Sequence, residues 1–148
     1  LKPAMELKTV ISMVKTIPAG AKVSYGRRFT ADRAARIATV PIGYADGYSR
    51  SLSNRADMLV GGRRARVVGR VCMDQCMLDV TDIPAAREGM TVTVFGRDGE
   101  ALLPAEEFAA LSGTIHYETI CLIGKRVPRI FLSGGRAVGR LNYIVPER

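Results

Sequence analysis

Histidine is almost missing from this chain. His116 stands alone, so a Cys/His zinc site of ordinary spacing cannot be assembled and metal chemistry is not expected. Cysteine is nearly as sparse: three thiols, an odd number with no secretory signal, argue against a disulfide framework and for a reducing, cytoplasmic setting. Cys72 and Cys76, if they share one strand, lie roughly 13 Å apart, too far to bridge. No apolar run approaches the ~20 residues that cross a bilayer, so no membrane-spanning helix is expected. Aromatic residues make up only 6% of the sequence and gather at a few tyrosine motifs, which weakens any reading as a nucleic-acid binder built on stacked bases. Acidic residues are outnumbered, 14 against 22 Lys and Arg, and the formal charge of +8 suits phosphate, carboxylate, nucleic-acid or acidic protein partners without choosing among them.

What is present fits one domain, residues 1–148, with enough apolar content to fold around its own core. The sequence opens at Leu1 with neither a basic nor an apolar leader segment and reads as a piece of a longer protein. Apolar periodicity predicts a strand over residues 7–17, ended by the turn tripeptide Pro18-Ala19-Gly20, and a short strand over 22–25. A basic loop over 26–36 follows, then a strand over 37–43. Residues 44–54, rich in turn formers, read as a linking segment outside the core. Gly61-Gly62 predicts a tight hairpin between strands at 58–60 and 63–67. A further strand is expected over 90–95, closed by a turn at Gly96-Arg97-Asp98-Gly99. Pro104, Glu106, Glu107 and the stop Ser112-Gly113 predict a helix, and a second is expected from His116 to about Ile123. Two last strands flank Gly134-Gly135. The fold class is mainly β, a closed or partly open antiparallel barrel with a small helical insert near residues 104–123.

One stretch resists that scheme. From Val67 to Val80 the chain reads as buried strand, yet Gly69, Arg70 and the Asp74-Gln75 pair interrupt it. A carboxylate in mid-strand is costly to bury, so Asp74 either closes a hydrogen-bond network or serves a site. Other candidates have simpler explanations. Cys72 and Cys76 lack an activating neighbour and read as small buried hydrophobes. Gly61-Gly62-Arg63-Arg64 and Gly134-Gly135-Arg136 lack P-loop spacing and read as hairpin turns. Tyrosines beside glycine, at 25, 44 and 48, are either core residues or phenols presented where a ligand or another backbone approaches.

Four motifs sharpen this. Val23-Ser24-Tyr25-Gly26, Pro41-Ile42-Gly43-Tyr44-Ala45-Asp46-Gly47-Tyr48, Val68-Gly69-Arg70-Val71-Cys72-Met73-Asp74-Gln75 and Arg126-Val127-Pro128-Arg129, in this order and at these intervals, resemble the carboxy-terminal domain of bacterial alanine racemase along the whole chain. The resemblance implies a β domain that follows an amino-terminal (β/α)₈ barrel carrying the lysine bound to pyridoxal phosphate. None of Lys2, Lys8, Lys15, Lys22 or Lys125 matches that lysine, so the cofactor is expected in the barrel and not in this piece alone. The implied assembly is a head-to-tail homodimer in which each β domain covers its partner's barrel mouth. Its substrate would be a small amino acid, interconverted between L- and D-alanine for peptidoglycan.

Residue by residue, Tyr25 matches the catalytic tyrosine, Met73 and Asp74 the dipeptide near the substrate carboxylate, and Tyr117 the tyrosine that contacts the cofactor phosphate. Tyr44 and Ile115 match gate positions, and Arg50 and Arg70 the access corridor. Racemisation removes a proton from one face of Cα and returns one to the other, which two groups on opposite sides perform most simply. A free phenol titrates near ~10, so a tyrosine base needs cations or hydrogen bonds around it. A related serine racemase is the alternative within the class. Outside it stands a non-catalytic basic β-barrel for interaction or RNA binding.

Overall fold

The computed structural model describes residues 3–145, so Lys2 lies outside the described residues. Twelve strands are present among these: β1 (Leu7–Val10), β2 (Met13–Ile17), β3 (Lys22–Val23), β4 (Phe29–Thr30), β5 (Ala35–Val40), β6 (Asp57–Val60), β7 (Arg63–Val68), β8 (Cys76–Asp79), β9 (Thr91–Asp98), β10 (Ala101–Leu103), β11 (Arg129–Ser133) and β12 (Arg136–Leu141). Two helices, α1 (Ala105–Ser112) and α2 (His116–Cys121), fall inside the expected insert. The main sheet is antiparallel and runs β1-β9-β6-β7-β8-β5-β2, with β10 added to β9.

The hydrogen-bonded path is open, but the chain itself joins its two edges. Ile11 N–H donates to Met90 O on one side and Ser12 N–H donates to Thr39 O on the other, both at 2.9 Å. The expected single strand over 7–17 is therefore two, because a residue that serves both edges must turn between them. The result is a partly open barrel, filled by Val40, Met58, Val60, Val67, Leu78, Val92 and Val94. Each such side chain contributes roughly 1.5–3 kcal/mol by leaving water.

Local chemistry explains the elements. Gly61 and Gly62, at φ 58° and 74°, make the two-residue turn that pairs Val60 with Arg63, since a hairpin of this twist needs left-handed backbone at both positions. Helix α1 begins after Pro104, carries Glu106 and Glu107 in its first turn and ends at Gly113, whose N–H donates to Ala109 O and Ala110 O. Arg64 ties this helix to the sheet through paired hydrogen bonds of 2.5 and 2.8 Å to Glu107.

Several expectations are corrected. The strand over 22–25 stops at Val23, and the one expected over 37–43 is β5, which begins and ends earlier. β9 continues through Gly96, so the turn falls at Gly99-Glu100 and returns as β10. Residues 44–54 do enter the core: Tyr48 and Leu52 are wholly buried and Asp46 nearly so. The stretch 67–80 is not one strand. β7 ends at Val68, and residues 69–75 form an irregular bend in which Cys72 N–H donates to Gln75 O at 2.9 Å, so Cys72 and Cys76 do not share a strand. All three cysteines are free thiols.

A face built from loops and arginines

Tyr25, Tyr44, Met73 and Asp74 sit on connecting segments that meet one another through hydrogen bonds. Tyr25 starts a short 3-10 turn, Tyr25–Arg27, and Tyr44 starts another, Tyr44–Asp46. Met73 and Asp74 occupy the bend between β7 and β8. That bend is the hub. Tyr44 N–H donates to Cys72 O and Ala45 N–H to Met73 O, both at 3.0 Å. Gly43 permits the contact, since a Cβ there would lie 2.3 Å from both carbonyl oxygens. On its other side the bend meets the Tyr25 loop, where Ser24 Oγ donates to Arg70 O at 2.7 Å. A cavity of about 330 Å³ lies against this junction and is bordered by Tyr25, Ser24, Cys72, Gln75, Lys15 and Lys22.

Asp74 is not in mid-strand. It lies on the exposed bend and accepts from Arg126 Nη2. Arg126 also donates from Nε to Asp46 at 2.6 Å, and Asp46 takes a second bond of 2.8 Å from Gly43 N–H. These two carboxylates hold the Arg126 guanidinium even more firmly protonated than usual. Gly124 N–H donates to Asp46 O at 2.9 Å, which fastens the end of the helical insert to the Tyr44 turn. The insert carries Ile115 and Tyr117 at the start of α2.

Arginines form a second cluster. Arg28, Arg50 and Arg70, with Ser53 and Asn54, line a cavity of about 250 Å³. Among the described residues none of the three pairs with a carboxylate, so their charge is left to attract an anion. Arg70 reaches back over the Tyr25 turn, its guanidinium 3.4 Å from where a Gly26 Cβ would stand.

Exposure is shared by the apolar candidates, as it is by Ile130, Leu132 and Val138 of the β11-β12 hairpin. Tyr25 (71%), Tyr44, Met73, Ile115 and Tyr117 (68%) all face outward, unlike the barrel core residues Val40, Met58 and Leu78. Tyr48 has the opposite fate. Burial pushes its phenol well above the ordinary range, helped by Cys76 and Asp57, so it stays protonated and is no base. Burial likewise pushes the Cys76 thiol up, with Cys72 adding to it, so Cys76 is not an activated thiol.

Sequence reading missed Ser24, Asn54, Asp46 and Arg126. Asp46 and Arg126 both stand inside quoted motifs, and a carboxylate among small turn residues was the one available signal. Among the described residues no cluster of His, Cys, Asp or Glu side chains is placed to hold a metal ion, and no helix is long and apolar enough to cross a membrane.

Fold and site together define a mainly β domain that presents a loop edge outward. Residues 4–131 match the family model described as alanine racemase, C-terminal domain, and the chain belongs to that family. It is 54% identical over 99% of its length to alanine racemase 2 of Oceanobacillus iheyensis, and 46% identical over 97% to alanine racemase 1 of Clostridium acetobutylicum. The chain spans 38% and 37% of those two proteins. The crystal structure of alanine racemase from Bacillus anthracis, determined with bound L-Ala-P, superposes with a TM-score of 0.91 at 42% identity, covering 97% of this chain and 36% of that one.

Proposed function

We propose that this chain is the carboxy-terminal domain of a pyridoxal-phosphate-dependent alanine racemase, and that its loop edge completes the active site of a second subunit in a head-to-tail homodimer. The observation that carries the reading is the junction of the Tyr25 loop with the Met73-Asp74 bend at an exposed edge, through Ser24 and Arg70.

The donor set here suits the flank of the cofactor. Tyr25 and Tyr117 carry exposed phenols free to meet a reacting carbon or to donate to a phosphate oxygen, and the arginine cavity suits anions. Lys8 is engaged by Glu6, Thr93 and Arg97 O, Lys15 and Lys22 border the Tyr25 cavity, and the covalent lysine is assigned to the barrel. When bound, pyridoxal phosphate acts as the electron sink that makes the α-proton of an amino acid removable. Tyr25 Oη takes that proton from the L-face as the barrel lysine supplies one to the opposite face, and the roles reverse for D-alanine. Met73 and Asp74 border the substrate carboxylate. Tyr44, Ile115 and Tyr117 narrow the gate and exclude water, and Arg50 and Arg70 draw the anionic end of the substrate along the corridor. The product serves peptidoglycan synthesis in the cytoplasm. Alanine is favoured over serine because the relatives matched along this chain are alanine racemases.

Alone, the chain is expected to be inactive, since the covalent lysine is assigned to the barrel and neither Lys15 nor Lys22, which border the Tyr25 cavity, matches it. Adding pyridoxal phosphate to it should give no conversion of L-alanine to D-alanine. In the full-length enzyme Tyr25→Phe should slow racemisation by orders of magnitude and leave cofactor absorbance unchanged. Turnover by the isolated chain, or equal loss of cofactor and activity in the variant, would overturn the reading.

A further inference from the structure

A side chain as exposed as Tyr25 has little packing to aim it, so its direction is set by the backbone at its root. That backbone is abnormal. Ser24 lies at φ 68°, ψ 177°, a region that essentially only glycine enters, because a Cβ there crowds the main chain. Such a conformation persists only where its surroundings fix it.

The surroundings form one connected clamp. Ser24 Oγ donates to Arg70 O at 2.7 Å and lies 3.7 Å from Cys72 Sγ. Gly69, at φ 78°, gives the strained residue room, since a Cβ on it would stand 2.6 Å from Ser24 Cβ. Gly69 N–H in turn donates to Asn54 Oδ1 at 2.6 Å, and Asn54 Nδ2 donates to Arg28 O at 3.3 Å. The Tyr25 turn is thus held before its first residue at Ser24 and after its last at Arg28. A glycine at 24 would adopt the backbone freely but without the hydroxyl that locks it.

We propose that Ser24 is a positioning residue for Tyr25: its hydroxyl, with the Gly69-Asn54 pair behind it, holds the strained backbone that points the phenol at the partner's substrate. The inference rests on Tyr25 being the proton-transfer group of the reading above. Proton transfer is sensitive to small displacements, and a misplacement of about 1 Å costs on the order of 100-fold in rate. The clamp therefore acts chiefly on the proton step.

The test uses the full-length dimer carrying Ser24→Ala or Asn54→Gly, with Tyr25→Phe for reference. Asn54→Gly removes the amide but keeps the left-handed backbone of residue 54, φ 58°, so it reads the clamp even if Ser24→Ala folds poorly. Expected is a fall in kcat of about 10- to 100-fold at near-constant KM. The α-deuterium isotope effect should rise with L-alanine and not with D-alanine, while cofactor absorbance holds. In the cofactor-free protein, amide exchange of residues 24–28 should accelerate with no change elsewhere in the sheet. Wild-type kcat and isotope effects in both variants, beside a slow Tyr25→Phe, would overturn this inference alone. A Tyr25→Phe enzyme at wild-type rate would overturn both it and the function it rests on.

Discussion

Arg126 donates from Nε to Asp46 at 2.6 Å across 80 residues of sequence, and through its other arm it holds Asp74. One guanidinium thereby joins the Tyr44 turn to the Met73 bend. Asp46 is the buried member and also receives Gly43 N–H, whereas Asp74 stands in solvent. The two carboxylates should differ sharply in what their loss costs.

Asp46→Ala strands a buried N–H and one side of Arg126, and is expected to destabilise the protein by about 2 kcal/mol. Asp74→Asn should cost no more than about 0.5 kcal/mol, since exposed pairs contribute little. Urea unfolding of both variants in the full-length protein checks the order. Equal losses would show that Asp46 is not the anchor of the turn.

Tyr48 is wholly buried with its ring 5.2 Å from Phe108, and among the described residues its hydroxyl has no hydrogen-bond partner. A buried, unpaired hydroxyl costs about 1–3 kcal/mol. Tyr48→Phe should therefore leave stability unchanged or raise it by about 1 kcal/mol, read as a higher melting temperature. A marked drop would reveal a partner for that hydroxyl.

Arg64 lowers the Glu107 carboxyl below its ordinary value near 4.5, chiefly by hydrogen bonding, against a smaller opposing effect of burial. A depressed carboxylate stabilises the fold above that ordinary value, and the contribution is lost as pH falls through the lower, folded value. Both partners are more than a third exposed, so the pair contributes at most about 1 kcal/mol. Glu107→Gln should lower the urea midpoint at neutral pH, and the gap from wild type should close as pH falls below about 4.5. A gap independent of pH would mean that the pair contributes through packing alone.

The barrel and its helical insert were legible because their signals are local. Gly61-Gly62 dictates a hairpin wherever it falls between apolar arms, and Pro104 with Glu106 and Glu107 marks a helix start whatever surrounds it. The bend at 69–75 was not legible as a bend, since Val71, Cys72 and Met73 carry the hydrophobicity of a strand. Only the approach of Gly43 and Ser24, distant in sequence, shows why the ladder must break there. Tyr48 and Leu52 hid for the converse reason, as buried anchors within a polar, turn-rich segment. The site residues were named from motifs, but Ser24, Asn54 and Arg126 act through backbone carbonyls and paired carboxylates far along the chain. Such partnerships leave no local pattern.

The central claim is that Tyr25 works in the other subunit's site. It is tested most directly by mixing two inactive full-length homodimers, one carrying Tyr25→Phe and one lacking the barrel lysine, under conditions that exchange subunits. If the site is shared across the dimer, each hybrid contains one intact site, and a 1:1 mixture should recover about a quarter of wild-type activity. If Tyr25 serves its own subunit, every site in the mixture keeps one lesion, and an exchanged but inactive mixture would contradict the account.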